Sequence, residues 1–160
     1  MHAHTHPGPG ESRPFHLLSC WQVPSTADPT WHVLADVAAW PTWWPGVVSA
    51  AVVRPGSAGG VGRCAVLEVR SVLGYHLSFQ VELTSAEAPH WADLAVSGDL
   101  RGTGSWTAEE HDGRTSMQIV WCVVTGRRML RVLRPVAGWA HARTMAAGQA
   151  GLRRRLAPSA

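Results

Sequence analysis

The stretch "PVAGWAHARTMAAGQAGLRRRL", residues 135–156, decides the fold. At about 100° per residue, Ala137, His141, Met145, Gly148, Leu152 and Leu156 fall within roughly a 100° arc. Trp139, Arg143, Arg153 and Arg154 lie on the opposite side. The spacing predicts one long amphipathic helix, its narrow apolar face set against a sheet.

Upstream the apolar period is two. In "YHLSFQVELTSA" (75–86), Leu77, Phe79, Val81 and Leu83 alternate with His76, Ser78, Gln80, Glu82 and Thr84, which reads as an antiparallel strand with one wet face. "FHLLSCWQV" (15–23) places Phe15, Leu17, Ser19, Trp21 and Val23 on one face. "TSMQIVWCVVT" (115–125) does the same with Met117, Ile119, Trp121 and Val123. "SAAVVRP", "RCAVLEVRSVL", "HWADLAVSGDLRG" and "TGSWTAEE" supply further short strands, joined by turns such as "GSAGGVG" and "HDGR". The result is an antiparallel meander.

After the first strand, Asp28 reads as an N-cap and Pro29 as the first helical position, with Trp31, Leu34 and Ala35 at helical spacing. "DVAAWPTWWPGVV" (36–48) cannot continue as one regular helix, because Pro41 and Pro45 each remove a backbone donor. A second short helix or a broken turn is expected there. Two adjacent tryptophans on so short a turn are expected to split, one of Trp43 and Trp44 packing inward and the other meeting ligand or membrane.

A chain of 160 residues suits one domain with a single core. No uncharged apolar run approaches the roughly 18–20 residues of a membrane span, and no basic-then-apolar leader opens the chain, so a soluble cytoplasmic protein is expected. Cys20, Cys64 and Cys122 are far apart and odd in number, reading as buried thiols in a reducing compartment. Residues 1–14, "MHAHTHPGPGESRP", have no apolar period and read as a disordered tail, although His2, His4 and His6 alternate as a weak metal binder would. The ordered domain is expected over residues 15–157.

Charge is asymmetric. From Arg127 onward there are eight arginines and no acid, against six arginines and eleven acids before it, so the two parts carry +8 and −5. Arg127, Arg128 and Arg131 thus form a candidate surface for an anionic membrane or an acidic protein. Arginine also suits a helix C-terminus, where the dipole favours cations.

The order of strand, short helices, antiparallel strands and long helix is an α+β layout in which the sheet curls around the last helix. Three pieces, "WQVPSTADPTWHVLADVAAWPTWWPGV", "GDLRGTGSW" and "TSMQIVW" leading to "HARTMAAGQAGL", resemble the SRPBCC superfamily in order and spacing. That superfamily includes START-like lipid-transfer domains, birch-pollen-allergen-like proteins and the polyketide cyclase/dehydrase group. The resemblance implies a helix-grip fold: a curved seven-stranded antiparallel sheet around a long C-terminal helix, two short helices after strand 1, and an apolar cavity between. It implies little about chemistry, because the fold hosts carriers, enzymes and sensors.

In such a fold Trp43, Trp44, Leu77, Phe79, Trp106, Met117, Trp121, His141 and Met145 are the candidate ligand-binding residues, an aromatic wall suited to planar or isoprenoid ligands. A filled core uses the same residues. His141, amid Ala, Met, Gly and Leu, is either a satisfied core group or a polar handle and acid–base candidate. Asp99 and Arg101 alternate on a late strand, either pairing at the rim or presenting charge to a ligand. No nucleophile elbow, HExxH, phosphate loop or paired His/Cys spacing occurs, so neither metal nor cofactor is expected. With no lysine and one tyrosine, nucleic acid is not an expected partner. Three functions follow: binding of a hydrophobic small molecule or lipid; a polyketide cyclase/aromatase-type enzyme using His141, Asp99 or Arg101; and a membrane-peripheral lipid or quinone chaperone using the Arg-rich end.

Overall fold

The computed structural model describes residues 4–158. Strand β1 (Phe15–Val23) is followed by α1 (Ala27–Ala35), a 3-10 turn (Val37–Ala39) and α2 (Trp40–Trp43). Six strands come next: β2 (Val47–Arg54), β3 (Cys64–Arg70), β4 (His76–Glu87), β5 (Trp91–Gly98), β6 (Arg101–His111) and β7 (Arg114–Val124). Helices α3 (Arg128–Val132) and α4 (Arg134–Arg155) complete the chain. The strands form one antiparallel seven-stranded sheet in the order β1-β7-β6-β5-β4-β3-β2, which leaves β1 and β2 as edges. This is the α+β helix-grip architecture expected from the sequence.

Period two fixes which face of each strand looks inward. On β1, Trp21 and Val23 are buried and Phe15, Leu17 and Ser19 half-buried, while His16, Leu18, Cys20 and Gln22 face outward. Trp21 pairs with Met117 across the β1–β7 ladder, so two large apolar side chains meet on the inner face. Cys64 and Cys122 are buried thiols as expected, but Cys20 is exposed, because it falls on the outward phase of β1.

Helix α4 begins at Arg134, with Pro135 in the first turn, where its missing N–H leaves no bond unmade. Met145, Gly148 and Leu152 are buried and Ala137, His141 and Leu156 half-buried, the arc the period marked out. Trp139, on the opposite side, is exposed. The small residues of this face set how closely the helix is approached. A Cβ on Gly148 would collide with the Trp44 indole, and one on Gly151 with the main-chain carbonyl of Trp43. The two glycines are therefore sites of close approach to α2.

Three expectations need correction. Helix α1 starts two residues earlier than expected, with Thr26 as N-cap and Asp28 and Pro29 inside the first turn. Its exposed first amide, Ala27 N–H, donates to Glu110 Oε2 on β6 at 2.9 Å, a tertiary anchor at the positive end of the helix. Trp43 and Trp44 both turn inward, buried and stacked with ring centres 5.5 Å apart beside the small face of α4, although only Trp44 borders a cavity. Residues 4–14 contain no helix or strand, yet they are tied to the domain. Thr5 Oγ1 donates to the Cys122 carbonyl, Ser12 exchanges hydrogen bonds with Thr125, and Glu11 pairs with Arg101. His2 lies outside the described residues.

Candidate functional site

Between the sheet, α2 and α4 lie two apolar cavities sharing a wall of tryptophan. The first, of about 150 Å³, is lined by Phe15, Leu17, Leu67, Val69, Leu77, Phe79, Leu130, Ala137, His141 and Met145, among others. The second, of about 270 Å³, is lined by Trp21, Trp31, Leu34, Arg63, Val81, Ser105, Trp106 and Met117, among others. Trp40, Trp44 and Trp121 border both.

The partition is anchored. Trp44 packs at 5.3 Å from both Trp21 and Trp40, and its Nε1 donates to the Thr144 carbonyl of α4. Trp40 Nε1 donates to the Leu34 carbonyl at the end of α1. Trp121 pairs across the β6–β7 ladder with Gly104, where a Cβ would stand 2.8 Å from the indole ring. The opening cluster of tryptophans is thus neither a plain core nor a solvent patch. Trp40 and Trp44 form a wall between the two cavities, whereas Trp43 borders neither cavity and belongs to the core.

The expected lining residues are otherwise brought together in two groups. Leu77, Phe79, His141 and Met145 border the first cavity, Trp106 and Met117 the second, and Trp44 and Trp121 both. His141 is the polar residue of helix α4 that stands out here. Its Nε2 is buried with no hydrogen-bond partner among the described residues, and burial pushes the imidazole pKa down to about 4, so the ring is neutral at neutral pH. A neutral imidazole with a free nitrogen presents one donor or one acceptor to whatever occupies the cavity. Trp21, bordering the second cavity, also has a buried and unpartnered Nε1.

Asp99 and Arg101 border neither cavity and do not pair with each other. Asp99 Oδ2 accepts from Ser78 N–H at 2.8 Å and from Arg127 Nη1 at 3.0 Å, so it clasps β4 to the start of α3. Arg101 donates twice to Glu11 and once to the His6 carbonyl, and Glu11 is held down at about pKa 2 by that guanidinium and by Gly8 N–H. Arginine pairing and turn geometry outside the cavity explain both residues, which removes them as groups facing a ligand.

Arg63, Tyr75 and Ser105 were missed by sequence reasoning. Each had a signal. Arg63 is in phase with the inward Ala65 and Leu67, and Tyr75 with the inward Leu77 and Phe79. Arg63 Nη1 donates to the Ala35 carbonyl at 3.2 Å, which carries a cation to the border of the second cavity. Among the described residues no group of three or more metal-ligating side chains occurs, and no helix is long and apolar enough to cross a membrane.

A seven-stranded open sheet holding a divided apolar cavity against a terminal helix defines a helix-grip domain, and the comparisons agree on that fold. Residues 21–157 match the family model described as polyketide cyclase / dehydrase and lipid transport, and the chain belongs to that family. No curated protein sequence matches it. Among solved structures it is similar to the ZhuI aromatase/cyclase from Streptomyces sp. R1128, with TM-score 0.74 and 19% identity over 89% of this chain and 93% of that one. It is also similar to a START superfamily protein from Mycobacterium smegmatis, with TM-score 0.73 and 15% identity over 88% and 96%. The di-domain ARO/CYC BexL from the BE-7585A biosynthetic pathway matches at TM-score 0.71 and 15% identity, over 92% of this chain and 51% of that one. At such identities these likenesses show the fold.

Proposed function

We propose that the protein binds a hydrophobic small molecule or lipid inside the divided cavity, with an apolar body against the tryptophan wall and a carbonyl or hydroxyl near His141. The observation that carries this reading is the pair of apolar cavities, of about 150 and 270 Å³, in the interior of a small domain. An apolar space of about 150 Å³ accommodates a benzene-sized group, and ligand sites generally begin at about 300 Å³. One cavity therefore suits a ring or short chain, and both together suit a two-lobed ligand. The free thiols support a reducing, cytoplasmic setting.

A second reading, a cyclase/aromatase-type enzyme, draws support from the unpartnered neutral His141. Such an enzyme would fold a reactive chain by positioning and would use that imidazole as a proton acceptor. The binding reading has the fewer requirements, since it needs only the cavity. Native mass spectrometry of protein purified without denaturation tests it. An adduct that leaves on organic extraction is expected. The bare polypeptide mass, together with no uptake of any apolar compound from a panel, would overturn it.

A further inference from the structure

We propose that the mouth of the first cavity is a docking surface for an anionic lipid bilayer. Ser71 and Tyr75 border that cavity from the β3–β4 turn, and the two residues just after Ser71, Val72 and Leu73, are 54% and 42% exposed. On the other side Leu130 and Ala137 border it. Their neighbours Met129 and Val136 are both 40% exposed, and Val132 between them is 77% exposed. Arg127 Nη1 donates to the His76 carbonyl at 3.3 Å, which holds the start of α3 beside the start of β4. The two aliphatic groups thus flank one opening.

Asp99 offsets Arg127 and Glu68 contacts His76 at this opening, and the charge left unpaired beside them is cationic. Arg128 is exposed, and among the described residues Arg128, Arg131 and Arg134 pair with no acidic side chain. Arg131 and Arg134 donate only to carbonyls, of Gly10, Arg13 and Pro14, which leave the cationic charge uncompensated. No acidic residue follows Asp112 in the sequence. Separate aliphatic knobs on two segments, ringed by arginine, fit a headgroup layer that yields around each knob. A protein partner would need a continuous complementary surface. A bilayer at this mouth also lets an apolar ligand enter without crossing water.

Sedimentation with phosphatidylcholine vesicles, with and without phosphatidylglycerol, tests the surface with no cavity ligand added, so its outcome is independent of the binding reading. Wild type is expected to sediment with the anionic vesicles at low salt and to be released as salt passes about 0.1 M, where screening reaches within about 10 Å. Arg128→Glu with Arg131→Glu is expected to weaken binding by on the order of tenfold or more. Val72→Ser with Val132→Ser is expected to weaken it severalfold at unchanged charge. Arg153→Glu with Arg154→Glu, about 30 Å away along α4, is expected to leave it nearly unchanged. No binding by wild type at low salt would overturn the proposal and leave an acidic protein as the partner this surface fits. Equal losses from the two charge reversals would also overturn it, because attraction would then be diffuse.

Discussion

Trp44 Nε1 donates to the carbonyl of Thr144 at 3.0 Å, joining residues 100 positions apart. Thr144 is four residues before Gly148, whose missing Cβ is the space the Trp44 ring occupies. One hydrogen bond and one absent methyl therefore fix where the tryptophan wall stands, and with it the division of the cavity. Packing and cavity geometry are set by the same pair of elements, α2 and α4.

That arrangement predicts opposite outcomes for the same substitution on one helix. In a helix interior, glycine to alanine ordinarily gains up to about 1 kcal/mol. Gly138→Ala, with open space around it, is expected to show that gain. Gly148→Ala is expected to lose about 1–3 kcal/mol through overpacking against Trp44. Urea unfolding followed by circular dichroism measures both.

His141 makes stability depend on pH. Its folded pKa of about 4 lies below the ordinary 6.5, so between those values the unfolded chain binds more protons. Stability from the neutral ring is complete above about pH 6.5 and declines as pH falls toward 4, by up to about 3 kcal/mol. His141→Leu is expected to flatten this window and to raise stability at pH 5, while weakening a carbonyl-bearing ligand by about 1 kcal/mol. A mutant that melts several degrees lower at neutral pH would place His141 in the core instead.

Glu11 titrates in a lower window. Its pKa is depressed to about 2, so the Arg101–Glu11 contribution is present above about pH 4.5 and is lost as pH falls toward 2. Arg101→Leu is expected to remove that low-pH dependence and leave the His141 window unchanged, as read from melting temperatures across the pH series.

Thr125 ties the end of β7 to its surroundings. Its hydroxyl is buried, donates to the Asp99 carbonyl at 2.7 Å and accepts from Arg127 N–H at 3.1 Å. Thr125→Val keeps the shape and removes both bonds, with an expected loss of about 1–3 kcal/mol in chemical denaturation.

The strands and the last helix were legible because burial of one face imposes a period, and the periods in 75–86, 115–125 and 135–156 are uninterrupted. The candidate site was legible to the extent that its residues shared those periods: Leu77, Phe79, Met117, Trp121, His141 and Met145 all border a cavity. What escaped was tertiary. Whether Trp43 and Trp44 both fit inward depended on Gly148 and Gly151, more than a hundred residues further along the chain. The partners of Asp99 and Arg101 depended on Arg127 and Glu11, one from the α3 entry and one from a segment with no period at all. Where β1 turned its polar face outward, Cys20 followed the phase of the strand and not the burial usual for a free thiol.

The central claim is that the divided interior is a ligand space and not a packing defect. Titration of the protein with an apolar naphthalene probe, read by probe fluorescence, tests it most directly when run beside Ser105→Phe and Ala137→Phe, which fill the second and first cavities respectively. Saturable one-to-one binding by wild type is predicted, weakened at least tenfold in one or both variants. Absence of saturable binding, or equal binding in all three proteins, would contradict the account.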